Sequence, residues 1–308
     1  MRFVTKISGS LSFSGHETFP LRQMWLKKVA DMADEDGLIE KKKFSDPEQI
    51  AKLGVGKNML SSMKHWSIAC GMLEDSKSNQ LKLSDLAKSI FLDGGYDPYS
   101  EKPITQWLLH WQLTKSNRKA TTIFYLFNRI RNSNFSKAEL KNDLLKISDL
   151  SGKSFAEKTI EKDIDVSIKS YASTSQQANE EDLAEPIFTE LGLLNSNLDR
   201  SFSFNRGPKP SLNKYIFIYF ILDYLSLNSA KQRTKTISLE EIVYEECSPG
   251  LVLKLDENSV IDQLENIEEV TSNRMLWSKT AGLKQLMVKD CDLEVFKSDI
   301  LRGAYEYR

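Results

Sequence analysis

The chain has 308 residues, with 42 Lys and Arg against 43 Asp and Glu and a formal net charge of −1. That length exceeds one typical domain and predicts two or three units with a real core. The balanced charge removes any argument for nucleic acid from the whole molecule, so that only local patches could carry one.

Three cysteines, Cys70, Cys247 and Cys291, stand far apart with no C-x-x-C spacing and no paired histidines. They exclude a disulfide framework and a structural zinc site and point to a reducing cytoplasm. The opening residues lack the apolar core of a signal peptide, and the most apolar run, 215–227, is too short to span a bilayer and contains Asp223. That run is expected to be a buried helix, with no membrane association.

In chain order, residues 2–13 alternate loosely and read as one or two short strands. The stretch FSGHETFPLR at 13–22 follows, and then a helix predicted through Met32, with Glu17 or Thr18 as its cap and Pro20 in its first turn. Gly15 permits an unusual backbone shape, which presents His16 and Glu17 beside the expected helix start. Such a pair is either a catalytic or phosphate-binding corner or a capping device.

Residues 44–92 predict a helix-turn-helix with a wing. Asp46 caps and Pro47 opens a short helix, Gly54-Val55-Gly56 turns, and a second helix runs from Lys57 to Cys70 before Gly71 stops it. Met59, Met63, Trp66 and Cys70 share one face of that second helix; Lys57, Ser61 and Lys64, with Asn58 and His65 beside them, occupy the other. Leu73 and Leu81-Lys82-Leu83 flank a polar turn as two wing strands would, and Ser84 caps a closing helix. Such a unit places its second helix in a DNA groove, although winged helices also dock proteins.

The middle of the chain reads as helical. Trp107, His110 and Trp111 lie on one predicted helix as core, and an apolar helix from Thr122 to Ile130 follows. Ser136 caps a third helix, and residues 155–171 form a fourth, whose outer face mixes Lys158, Lys162 and Lys169 with Glu157, Glu161, Asp163 and Asp165. Near-cancelling charge makes that pair structural rather than phosphate-binding. Residues 173–179 read as a polar linker, and 180–194 as an acidic helix or turn ending in Leu-Gly-Leu-Leu. A strand at 201–206 then leads into the proline-fixed loop 207–214, where Arg206, Lys209 and Lys214 are candidates to meet phosphate.

From Thr236 the helix-turn-helix pattern returns with opposite charge. Ser238 caps a helix, Ser248-Pro249-Gly250 turns, and the next helix is acidic through Asp256, Glu257, Asp262, Glu265, Glu268 and Glu269 before a hairpin at 274–288. Carboxylates repel a phosphate backbone, so this unit is expected to dock protein. The expected architecture is therefore mainly α with short β-hairpin wings: a winged helix-turn-helix unit in residues 1–100, a helical middle at 101–235 and a winged unit at 236–308.

The stretch FSGHETFPLR at 13–22, with TIEKD at 159–163, LGLL at 191–194, RGPKPSL at 206–212, and SPG at 248–250 through Lys254-Leu255-Asp256, resembles the SspB-like family of bacterial DNA phosphorothioation and anti-phage systems. The resemblance covers nearly the whole chain. It implies a DNA-nicking protein that opens one strand for sulfur insertion, with a cysteine desulfurase and an ATP pyrophosphatase-like sulfurtransferase as partner proteins. His16, Glu17 and Arg22 are then the catalytic candidates, and Lys57, Asn58, Ser61, Lys64, His65, Arg206, Lys209 and Lys214 the DNA-binding ones. Metal-dependent nucleases gather carboxylates on magnesium or manganese. No H-N-H or P-D...(D/E)-x-K pattern supplies them here, so a metal path and a metal-free path both stand, and a homodimer is also open. The alternative function is a non-catalytic DNA-binding scaffold that docks partners through its acidic last unit.

Overall fold

The computed structural model describes residues 7, 9–76, 79–117, 119–172, 186–228, 235–280 and 282–306. The expected strand at 2–6, the linker at 173–179 and the first part of the acidic segment after it lie outside the described residues. Contacts divide the chain into two compact units, Met1–Leu126 with Ile130–Phe204 and Phe127–Arg129 with Asn205–Arg308. Helices dominate, and the described strands form three small antiparallel sheets. Among the described residues, no helix is long and apolar enough to cross a membrane.

The first unit begins with residues 9–13, which form no strand. Helix α1 covers only Trp25–Ala30, and Met24 before it is left-handed at φ 69° with no side-chain cap. The expected cap by Glu17 or Thr18 is therefore wrong: both residues sit in a turn well before the helix starts. Next come β1 (Leu38–Glu40), α2 (Pro47–Leu53), α3 (Lys57–Ala69), β2 (Leu73–Asp75), β3 (Gln80–Leu83) and α4 (Asp85–Phe91).

These boundaries follow from local chemistry. Asp46 accepts the Glu48 backbone N–H, Pro47 fills the first helical position where its missing N–H costs nothing, and Gly54 closes α2 at φ 62°. The Ser84 hydroxyl likewise accepts the Ala87 N–H at the start of α4. Strands β2 and β3 pair as a hairpin, and β1, which sequence reasoning missed, adds to the other edge of β3 with Ile39 opposite Leu81.

The unit continues through α5 (Pro103–Thr114), α6 (Thr121–Asn128, whose last two residues fall in the second unit), β4 (Asn134–Phe135), α7 (Lys137–Leu150), α8 (Glu157–Lys169), β5 (Leu194–Ser196) and β6 (Phe202–Phe204). Every residue of α5 from Thr105 on is buried, which makes it the central helix of this unit. His110 is the packing histidine expected, hydrogen-bonded through Nδ1 to the Tyr171 hydroxyl at 2.8 Å. Helix α7 opens with a reciprocal Ser136 and Glu139 capping box.

In the second unit α9 (Lys214–Asn228) is apolar on all sides, with Ile216, Phe217, Ile218, Phe220, Ile221 and Leu222 fully buried. A helix apolar all round belongs inside a core. It is followed by β7 (Lys235–Ser238), α10 (Leu239–Tyr244), α11 (Pro249–Val252), α12 (Glu257–Leu264), α13 (Ile267–Val270), β8 (Met275–Thr280), β9 (Leu283–Val288) and α14 (Leu293–Glu306). The last of these was not anticipated. It packs on α9 so closely that a Cβ on Gly303 would come within 3.0 Å of the Tyr215 ring. Two expectations change here. Pro249 and Gly250 begin a short helix rather than a plain turn, and the acidic helix breaks at Glu265 and the left-handed Asn266, φ 58°.

Candidate functional site

The stretch at 13–22 is held from several sides of the first unit. Phe13 is buried edge-on against Phe155, with ring centroids 4.9 Å apart. The Trp66 indole donates to the Phe19 carbonyl at 2.9 Å, and the Ile187 N–H donates to the Leu21 carbonyl at 3.2 Å. Between these anchors the chain turns sharply, with the Phe19 N–H donating to the His16 carbonyl at 2.8 Å. Gly15 has φ 106°, and Glu17 and Thr18 follow at 48° and 67°. A left-handed β-branched threonine is strained by roughly 1–3 kcal/mol and persists only where its surroundings over-determine it.

His16 does the determining. Its ring is buried, Nε2 lies 2.9 Å from Asp163 Oδ1 on α8, and Nδ1 accepts the Thr18 backbone N–H at 3.1 Å. Because Nδ1 must carry the lone pair for that second bond, a neutral ring holds its proton on Nε2 and donates it to Asp163. Both nitrogens are engaged. Asp163 is only 5% exposed, and its Oδ2 has no hydrogen-bond partner among the described residues. It does not lie on the outer charged face of its helix as expected, but on the inner stripe with Ile160, Ile164 and Ser167. A carboxyl in step with an apolar stripe was the sequence signal that could have found it.

The other catalytic candidates are placed differently. Glu17 is exposed, while Arg22 is half-buried with its guanidinium carbon 5.6 Å from the Phe19 ring centroid and 5.8 Å from that of Trp25. A guanidinium within about 6 Å of aromatic faces is attracted by the ring quadrupoles and, being weakly hydrated, loses little by lying there.

On α3 the buried face comprises Leu60, Met63, Trp66 and Ala69. Lys57 and Asn58 are exposed, and Ser61 is half-buried. The Lys64 ammonium lies 5.5 Å from the centroid of the Phe44 ring. His65 turns toward the corner. Its ring meets His16 edge-on at 5.8 Å, and a Cβ on Gly15 would come within 2.6 Å of its Nδ1. Burial is the main cause that pushes the His65 pKa down to about 3, and the Lys119 ammonium acts in the same direction.

The loop at 206–214 belongs to the second unit, where one of its three cations is buried rather than solvent-facing. Arg206 is exposed. Lys209 is buried, donating to the carbonyls of Asn205 at 2.8 Å and Gly207 at 3.0 Å, and burial lowers its pKa to about 8 against the opposing pull of Asp256. Lys214 donates to the Glu265 carbonyl. Lys209 braces the loop internally, whereas Lys214 ties its end to the backbone at Glu265.

Many of the acidic residues of the second unit are also committed locally. Asp256 caps α12 through the Ser259 N–H, Glu257 accepts from the Tyr244 hydroxyl, Glu265 pairs with Lys279 at 3.0 Å, and Glu268 accepts the Trp277 N–H.

Magnesium takes oxygen ligands in near-octahedral array. The His16 corner offers two imidazoles, the buried Asp163 carboxyl already bonded through Oδ1 and the exposed Glu17, and these donors do not gather at one point, so the set does not fit that ion. Among the described residues, no group of three or more His, Cys, Asp or Glu gathers in a way that could hold a metal.

The chain is similar to two solved structures. One is described as a magnesium ion-bound SspB crystal structure, at 26% identity and TM-score 0.85, covering 96% of this chain and 88% of that one. The other, an SspB crystal structure, matches at 27% identity with the same TM-score and coverage. No curated protein sequence matches. Both structural likenesses agree with the SspB-like resemblance carried by residues 13–22. The chain belongs to the family described as protein of unknown function DUF4007, whose profile matches residues 13–305.

Proposed function

We propose that this protein engages DNA in a bacterial phosphorothioation system and nicks one strand so that partner proteins, a cysteine desulfurase and an ATP pyrophosphatase-like sulfurtransferase, can insert sulfur. In this reading α2, α3 and the β2–β3 hairpin act as a winged helix-turn-helix, with α3 in the groove and Lys57 and Asn58 leading. The α10 to β9 region is its counterpart for protein docking, and the protein works in the cytoplasm beside the DNA.

The observation that carries the nicking reading is the turn at 16–18. Two consecutive left-handed non-glycine residues are locked there by a buried His16–Asp163 pair, and strain of that kind concentrates at functional sites. Strand hydrolysis at this corner needs a group to take the proton of the attacking water and a cation to hold the phosphate. Glu17, exposed on the strained turn, suits the first task, and Arg22, placed between the Phe19 and Trp25 rings, suits the second. His16 holds the turn. No step at this corner runs through magnesium, because its donors do not suit that ion.

A supercoiled plasmid incubated with purified protein in Mg2+, Mn2+ or EDTA tests this. Conversion to open circle is expected, with Glu17→Gln and Arg22→Ala each slowing it by about 100-fold or more while Tm stays within a few degrees. A plasmid left supercoiled under all three conditions would favour the second reading, a non-catalytic DNA-binding scaffold. That reading draws support from the engagement of both His16 nitrogens.

A further inference from the structure

Two imidazoles meet at the corner, and only one is committed. His16 spends Nδ1 on the Thr18 N–H and Nε2 on Asp163. His65 makes no hydrogen bond among the described residues. Its ring is fixed instead by shape: edge-on to His16 at 5.8 Å, edge-on to Trp66 at 5.2 Å, and with Nδ1 pressed to the backbone where Gly15 lacks a side chain. That packing leaves Nε2 as the ring nitrogen that can reach a ligand.

Position along α3 says which ligand. Lys57, Ser61 and His65 fall at i, i+4 and i+8, one stripe of a continuous helix, spaced about 6 Å apart. The stripe starts at an exposed cation and ends at the strained turn. A nucleic-acid strand tracked by its first two members arrives at the third beside the corner.

We propose that His65 Nε2 is the substrate-facing nitrogen of this corner, donating a hydrogen bond to a non-bridging oxygen of a DNA backbone phosphate, with its ring seated in the place a side chain on Gly15 would take. The inference rests on the DNA-binding reading above. The ring is uncharged at neutral pH, since burial above all holds its pKa near 3. An uncharged donor contributes direction without releasing a counterion, which separates His65 from Lys57 experimentally.

The test uses the full chain and a fluorescent DNA duplex, with affinity measured across a salt series and nicking followed in parallel. His65→Ala is expected to weaken binding by about tenfold at every salt concentration, the size of one lost hydrogen bond, with the slope of log affinity against log salt unchanged. His65→Gln, which keeps an N–H at similar reach, should recover part of the loss. Gly15→Ala should behave like His65→Ala although the imidazole is still present, because its Cβ displaces the ring.

Binding by His65→Ala and Gly15→Ala at the wild-type level would overturn the inference. So would a slope shallower by about one unit in His65→Ala, which marks a charged anchor. Should His65→Ala fail to fold, His65→Gln and Gly15→Ala carry the same comparison. Wild-type protein that binds no DNA removes the DNA reading and this inference together, whereas wild-type binding with unaffected variants removes this inference alone.

Discussion

The regions at 46–83 and 238–288 run through the same sequence of parts: a capped short helix, a tight connection, a second helix and an antiparallel hairpin. Their second helices have little else in common. Helix α3 is unbroken for 13 residues, contains no acidic residue, and is backed on one side by Trp66 and His65 against the 13–22 stretch. The corresponding α12 has eight residues, ends at Glu265, and resumes as α13 after a left-handed asparagine. Its carboxylates serve as a cap, as a partner for Lys279 and as an acceptor for the Trp277 N–H. Element order sets where a helix lies. Whether it can meet a phosphate backbone is decided by which of its side chains remain uncommitted.

The largest expected effect breaks the backing that α3 has and α12 lacks. Asp163→Ala strips the buried His16 Nε2 of its acceptor, and an orphaned buried donor facing a former carboxyl costs about 1.5–3 kcal/mol. Thermal unfolding should fall by about 3–6 °C for a chain of this size, and nicking should be lost with it. Asp163→Asn, which keeps an acceptor oxygen, should restore most of the stability. An unchanged midpoint in Asp163→Ala would mean that the turn is held without this pair.

The next effect comes from His65 and has a definite sign. Its pKa is about 3 in the folded chain against an ordinary 6.5, so above pH 6.5 the ring is neutral in both states and its contribution is complete. As pH falls from 6.5 toward 3 the unfolded chain takes up a proton that the folded chain refuses. Stability is therefore lost at about 1.4 kcal/mol per pH unit, less whatever solvent screening removes from a half-buried group. Urea unfolding of wild type and His65→Gln between pH 7 and 4.5 isolates this slope, because the remaining groups titrate in both proteins. Parallel curves would show that His65 is protonated in the folded state.

Much of this architecture was legible because it is written locally. Asp46-Pro47, Gly54, Ser84, Ser136 with Glu139, and Ser238 with Glu241 act through neighbours within four residues, and their helices begin or end where those residues stand. Partners distant in sequence were not legible. The bond between His16 and Asp163 spans 147 residues, β1 joins β3 from outside the predicted unit, and α14 packs on a helix nearly 80 residues upstream. Lys209 shows the opposite failure. A cation in a proline-rich loop looks free in sequence, yet it turned inward to satisfy two carbonyls.

The smallest expected effect sharpens the comparison within α3 itself. Lys57 and Lys64 have the same charge and were expected to act alike, but Lys57 is exposed at the helix start, whereas the Lys64 ammonium lies over the Phe44 ring. A cation resting on an aromatic face gives up about 0.5–1 kcal/mol when it leaves for a phosphate, and a lysine left in place releases no counterion. Lys57→Ala should flatten the salt dependence of DNA affinity by about one unit of log-log slope, and Lys64→Ala by less. Phe44→Leu should then free Lys64 and steepen the slope toward the value for two contacts. In the same full-length protein, Asp262→Asn and Glu269→Gln on the acidic helices should leave both affinity and slope where they were, because a region that stays away from DNA neither attracts nor repels it at close range. Equal slopes for the two lysine variants would erase the distinction inside α3. A gain in affinity on neutralising Asp262 and Glu269 would bring the 238–288 region to the DNA after all.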